Sequence, residues 1–156
     1  MKFTAKEDIE APIDFVFEQM SDFDAMQRAA IRRGATVQRK SGAAQQPGVG
    51  MAWHVAFDLR GRRREADVEL VEYDPPNGTR FEAKSQGLDA SCWIELIPLS
   101  PHRTRMKLHL ELKPQTLSAR LLVQSLKLAK GNLTKRVEGR VADYARTVED
   151  RNRRIA

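Results

Sequence analysis

From Met51 to Leu59 the chain alternates without a break. Met51, Trp53, Val55, Phe57 and Leu59 fall on one side, and Ala52, His54, Ala56, Asp58 and Arg60 on the other. That period of two is a β-strand with one buried face. The same pattern returns at Ala66, Val68 and Leu70, at Phe81 and Ala83, at Cys92, Ile94 and Leu96, and at Met106, Leu108, Leu110 and Leu112. Turn signals separate the runs: Gly61, the Asp74-Pro-Pro-Asn-Gly78 stretch, Gly87, and Pro98 to His102. Short turns between consecutive strands predict an antiparallel meander, apolar on one face and mostly charged on the other.

The flanks are helical. Lys2 to Ala11 reads as a strand that ends at Pro12, which suits the first turn of a helix. Phe15, Val16 and Met20 follow at helical spacing. Ser21 or Asp22 can cap a second short helix with Phe23, Met26, Ala30 and Ile31 on its inner side, stopped by Gly34. Val37 centres a short strand, and Ser41 to Gly50 is a loop by composition. After Pro114, Thr116 or Ser118 caps a helix expected to reach Asp150, with one stripe from Leu122 and Leu126 through Val141 to Val148. Gly131 and Gly139 are its weak points. Leu117, Leu121 and Leu128 add a second apolar row in its first half.

The expected fold is therefore α+β. An antiparallel sheet of about seven strands is covered on one face by a long C-terminal helix, and two short helices follow strand 1. Residues 1–150 are read as one domain and residues 151–156 as a frayed basic tail, since that end carries no core pattern.

Charge changes the picture by its location. Residues 1–116 hold 17 basic and 17 acidic side chains, whereas residues 117–156 hold 10 and 4, so the whole net charge of +6 lies in the last quarter. Solvated helix surface accounts for most such charge. The Leu117, Leu121 and Leu128 shoulder is expected to pack on the 41–50 loop or on the first short helix. The alternative is weak contact with an anionic membrane through the basic C-terminal helix. No groove-reading or base-stacking signature accompanies the charge, so nucleic acid is not an expected partner. Lys2 and Lys6 precede acids rather than an apolar run, and no segment nears the ~20 apolar residues of a bilayer span. With a single cysteine, Cys92, these features predict a cytoplasmic protein.

Catalytic chemistry is not evident. His54 and His109 fall on outward faces and His102 in a turn. No metal-ligand spacing, nucleophile elbow or base beside Cys92 is present, so no catalytic residue, metal or cofactor is assigned. By register, Arg64, Glu72 and Ser85 are the inward polar groups. Arg64 or Glu72 could hold a ligand's polar head or simply meet water at the sheet rim.

The order of elements, Ile9-Glu10-Ala11-Pro12 followed by Phe15-Val16-Phe17, Asp22 at the second helix, Pro98 before the last strand and the Leu122–Val148 stripe resemble the START-like (SRPBCC) superfamily. This helix-grip group includes lipid-transfer domains, pollen allergens and polyketide cyclases, and the bacterial type is the expected one here. The resemblance implies a cavity between the sheet and the C-terminal helix that binds or transports a small hydrophobic or amphipathic ligand: a lipid, polyketide or isoprenoid-like molecule. A polyketide cyclase/dehydrase-like enzyme acting in the same cavity is the alternative, held second because the inner face is nearly all apolar. The expected wall is Trp53, Val55, Phe57, Val68, Leu70, Phe81, Ala83, Ile94, Leu108, Leu122 and Leu126. The sequence leaves the oligomeric state open.

Overall fold

The computed structural model describes residues 1–40 and 47–155. Residues 41–46 of the expected 41–50 loop thus lie outside the described residues. The chain runs β1 (Lys2–Ile9), α1 (Ile13–Met20), α2 (Phe23–Arg32), β2 (Thr36–Arg39), β3 (Ala52–Leu59), β4 (Arg62–Asp74), β5 (Gly78–Ser85), β6 (Leu88–Ser100), β7 (Arg103–Pro114), α3 (Leu117–Leu128) and α4 (Lys130–Ile155). The strands form one antiparallel sheet ordered β1-β7-β6-β5-β4-β3-β2. Strands β2 to β7 are neighbours in sequence order, and β1 crosses to pair with β7. This is the expected helix-grip architecture.

Local chemistry explains the punctuation. Pro12 is the N-cap of α1, and the Asp22 carboxylate accepts the Ala25 N–H at 3.1 Å to cap α2. The β3–β4 and β5–β6 connections are two-residue turns, Arg60-Gly61 and Gln86-Gly87, with positive φ at both positions of each. Such turns match the right-handed twist of the strands they join.

Two departures from the alternating pattern matter. A bulge lies between Leu70 and Glu72. It places Tyr73 against Phe17 on the concave side and pairs Glu72 with Arg80, whose guanidinium covers Trp93 on the convex face. Glu72 is thus not an inward group, because the extra residue reverses the sidedness of everything after it. A second irregularity, between Pro98 and Ser100, lets β6 continue through a proline expected to mark the turn.

The terminal helix is also divided. Where one helix to about Asp150 is expected, α3 ends at Leu128, with the Ala129 N–H donating to the Leu126 carbonyl at 3.0 Å, and α4 begins at Lys130. The two segments serve different neighbours. Ala119 and Val123 of α3 pack with Leu88 and Leu112, whereas Val141, Ala145 and Val148 of α4 join Ala5, Ile9, Val16 and Phe17. Nor does the chain leave the helix at residue 151. Helix α4 continues to Ile155, with the Arg151 guanidinium donating to the Gln19 side chain at 2.9 Å and the Asn152 amide to the Glu10 carbonyl at 3.5 Å. Polar tethers hold that turn where no apolar pattern does.

Helix α4 consequently covers the β1, β7 and β6 side of the concave face. A separate cluster of Phe23, Met51, Trp53 and Leu70 forms under α2. The functional geometry lies on that second side.

Candidate functional site

Helix α2 packs against β2 and reaches β3 through Phe23. Phe23 is buried and meets Trp53 with ring centroids 5.7 Å apart and Phe81 at 6.0 Å; Trp53 and Phe81 are 6.1 Å apart. Three aromatic rings from a helix and two strands thus brace one another. Next to them is a cavity of about 360 Å³, open on one side. Phe23, Met26, Gln27 and Ala30 of α2 form one wall, and the sheet forms the other: Val37 of β2, Trp53 and Val55 of β3, Val68 of β4, Phe81 and Ala83 of β5, Ala90, Cys92 and Ile94 of β6, and Leu110 of β7. The alternation along these strands delivers one apolar side chain after another to the same surface.

Among the described residues, Gln27 and Cys92 are the polar side chains of this wall. Burial pushes the Cys92 thiol up to about 11, so it remains protonated near neutrality and acts as a small apolar group. Ala83 and Ala90 are paired across β5 and β6, and their small side chains leave room that bulkier residues would fill.

The wall overlaps the expectation from sequence only in part. Trp53, Val55, Val68, Phe81, Ala83 and Ile94 line the cavity, and Phe57, Leu70, Leu108, Leu122 and Leu126 do not. Phe57 is half-buried beside Arg64, one inward position beyond Val55. Leu70 is fully buried below the aromatic cluster. Leu108 packs against the group that includes Val141 and Val148 of α4. Leu122 packs with Leu88 and Val123, and Leu126 is buried.

No residue of α3 or α4 lines the cavity, so it lies between the sheet and α2, not between the sheet and the C-terminal helix. The physical reason is that α4 packs directly on β1 and α1. Phe23, Met26 and Ala30 were legible as the inner side of α2. Their part in a cavity was not, because nothing in a short amphipathic helix says which strands it will face.

Polar groups on the concave side sit beyond the cavity end. The Arg64 guanidinium donates to the Ser85 carbonyl at 3.0 Å, and its Nε is buried without a partner. The Ser85 hydroxyl donates to the Glu65 carbonyl at 2.7 Å, so it serves the β4–β5 pairing. None of the three histidines lines the cavity. His54 lies between Asp67 and Glu65 on the convex face, His102 is exposed in a turn, and His109 stacks on Trp93 with centroids 4.8 Å apart. Among the described residues no group of His, Cys, Asp and Glu is arranged to hold a metal ion. No described helix is long and apolar enough to cross a membrane.

Solved structures share this architecture at low sequence identity. A protein of Thermus thermophilus superposes with a TM-score of 0.69 at 16% identity, over 95% of this chain and 97% of its own. An aromatase/cyclase of Streptomyces sp. R1128 superposes with a TM-score of 0.65 at 14% identity, over 94% and 93%. A START superfamily protein of Mycobacterium smegmatis reaches 0.59 at 12% identity, over 92% and 98%. No curated protein matches the sequence. The family described as polyketide cyclase/dehydrase and lipid transport matches residues 1–149. The chain belongs to that family.

Proposed function

We propose that the protein binds and carries a small hydrophobic ligand in the cavity between α2 and the sheet. The observation that carries this reading is the wall itself. A volume of about 360 Å³, open on one side, is lined by aliphatic and aromatic side chains, with Gln27 and Cys92 as the polar exceptions among the described residues. Empty apolar space of this size forfeits packing contacts, and an apolar guest restores them. The wall favours a guest whose body is hydrocarbon, isoprenoid or aromatic and whose polar groups are few. Family membership supports the same class. Binding ranks above cyclase chemistry because acid–base catalysis needs a titratable group against the substrate, and the cavity wall presents a thiol held protonated. The lone cysteine fits a reducing, cytoplasmic setting.

Trp53 offers a direct test. It belongs to the cavity wall, whereas Trp93 stands on the convex face between Arg80 and His109. In a Trp93→Phe variant, Trp53 reports alone. Titration with fatty acids, isoprenoid alcohols and polycyclic phenols should give saturable changes in its emission for at least one class. Emission unchanged across all three would contradict the proposal.

A further inference from the structure

Helix α3 has apolar side chains on two opposite faces. Ala119, Val123 and Leu126 are buried toward the sheet. Leu117, Leu121 and Leu128 are 73%, 60% and 92% exposed. At the α-helical turn angle these three lie within about 40° of one another, so they form one outward row. The expected packing of this shoulder on the first short helix or on the 41–50 loop does not occur among the described residues.

The flank of the row is cationic. Arg120 and Lys127 are exposed on one side of it, and Lys130 begins α4. Arg60, from the β3–β4 turn, is tied to the helix by a 3.0 Å hydrogen bond from its guanidinium to the Ser125 hydroxyl. Residues 117–137 contain five basic and no acidic side chains.

We propose that this outer face of α3 docks on an anionic lipid bilayer. The leucines would enter the boundary between headgroups and acyl chains, and Arg60, Arg120, Lys127 and Lys130 would lie among the anionic headgroups. Charge decides between occupants. A second copy of the chain would bring the same cations face to face, with no acidic side chain on the helix to receive them. A nucleic acid would satisfy the cations and leave three leucines in water. A bilayer with anionic lipid satisfies both halves of the surface. The surface stands apart from the cavity wall, so docking holds for empty and loaded protein alike.

The test is flotation of the full chain with vesicles of phosphatidylcholine, alone or mixed equally with phosphatidylglycerol. Wild-type protein should float with the mixed vesicles and retain part of that binding in high salt, because the leucine contribution is not screened. Leu117→Gln/Leu121→Gln/Leu128→Gln should bind at least about tenfold more weakly, since the inserted apolar area is lost. Glutamine keeps helix propensity, and the replaced side chains are exposed, so the thermal midpoint should not move. Leu128→Gln alone is the fallback if the triple variant fails to fold. Arg120→Glu/Lys127→Glu should abolish the preference for anionic vesicles. Absence of wild-type flotation would overturn the proposal. So would binding that high salt removes entirely and the leucine changes leave intact. If sedimentation instead shows a dimer that the leucine changes dissociate, a second copy covers this face and the bilayer does not.

Discussion

The Phe23 ring meets the Trp53 ring at 5.7 Å with the planes tilted by 56°, which fixes α2 over β3. Helix and strand are separated in sequence by β2 and the 40–51 segment, and this contact sets the distance between the two walls of the cavity. The cavity is what remains when aromatic groups prop a short helix off a sheet whose facing residues include two alanines.

Removing the prop has a defined cost. Phe23→Ala deletes a buried ring from the cluster of Trp53, Leu70 and Met51. Chemical denaturation should show a loss of about 3 kcal/mol, typical of a buried aromatic truncated to alanine. Ligand uptake should fall with it as α2 settles on the strands. A loss below about 1 kcal/mol would mean that the ring does not bear the packing assigned to it.

On the convex face, His54 joins β3 and β4 electrostatically. Its Nδ1 is 2.9 Å from Asp67 and its Nε2 3.1 Å from Glu65, and Lys40 is 2.8 Å from the same Asp67 oxygen. Both nitrogens can donate only as imidazolium. The hydrogen bond to Asp67, then that to Glu65, hold the His54 pKa above its usual 6.5. A raised folded-state pKa contributes stability in full below the unfolded value and loses it as pH rises through the folded one. Wild-type protein should therefore lose more of its urea midpoint than His54→Gln does as pH rises from about 6 to 9. Parallel profiles would show that the ring adds no pH-dependent stability.

Cys92 should report occupancy. With its thiol pushed from 9.0 to about 11, the thiolate fraction near pH 8 is about a hundredfold below that of an ordinary cysteine. Alkylation should be correspondingly slow in the native protein and slower still with ligand bound. Rapid labelling in the folded state, unaffected by ligand, would place the thiol outside the cavity wall.

Much of the fold is legible because its signals are local. Alternation from Met51 to Leu59, the glycine turns, Pro12 at the start of α1 and the Ser21-Asp22 pair at the start of α2 each act within a few residues; the structure keeps these boundaries, with Pro12 one position earlier, at the N-cap, and Asp22 of the pair as the cap. What the pattern hides depends on partners. The bulge at Leu70/Glu72 inserts one residue and carries Glu72 to the convex face, and no turn residue announces it. Leu122 and Leu110 look equally fit to line a cavity. Only where α2 and α3 land on the sheet decides that Leu110 does and Leu122 packs with Leu88. The excess apolar surface of Leu117, Leu121 and Leu128 is visible in the sequence, but its exposure follows from where α3 lands.

The most direct test of the cavity is native mass spectrometry of the purified protein, followed by organic extraction, on wild type and on Ala83→Phe/Ala90→Phe. These two alanines face the cavity and are paired across β5 and β6. The account predicts an apolar molecule at one per chain in wild type, or taken up on incubation with hydrophobic compounds, and its loss from the filled variant while the fold persists. An apolar ligand held equally by both proteins, or no uptake by either, would contradict it.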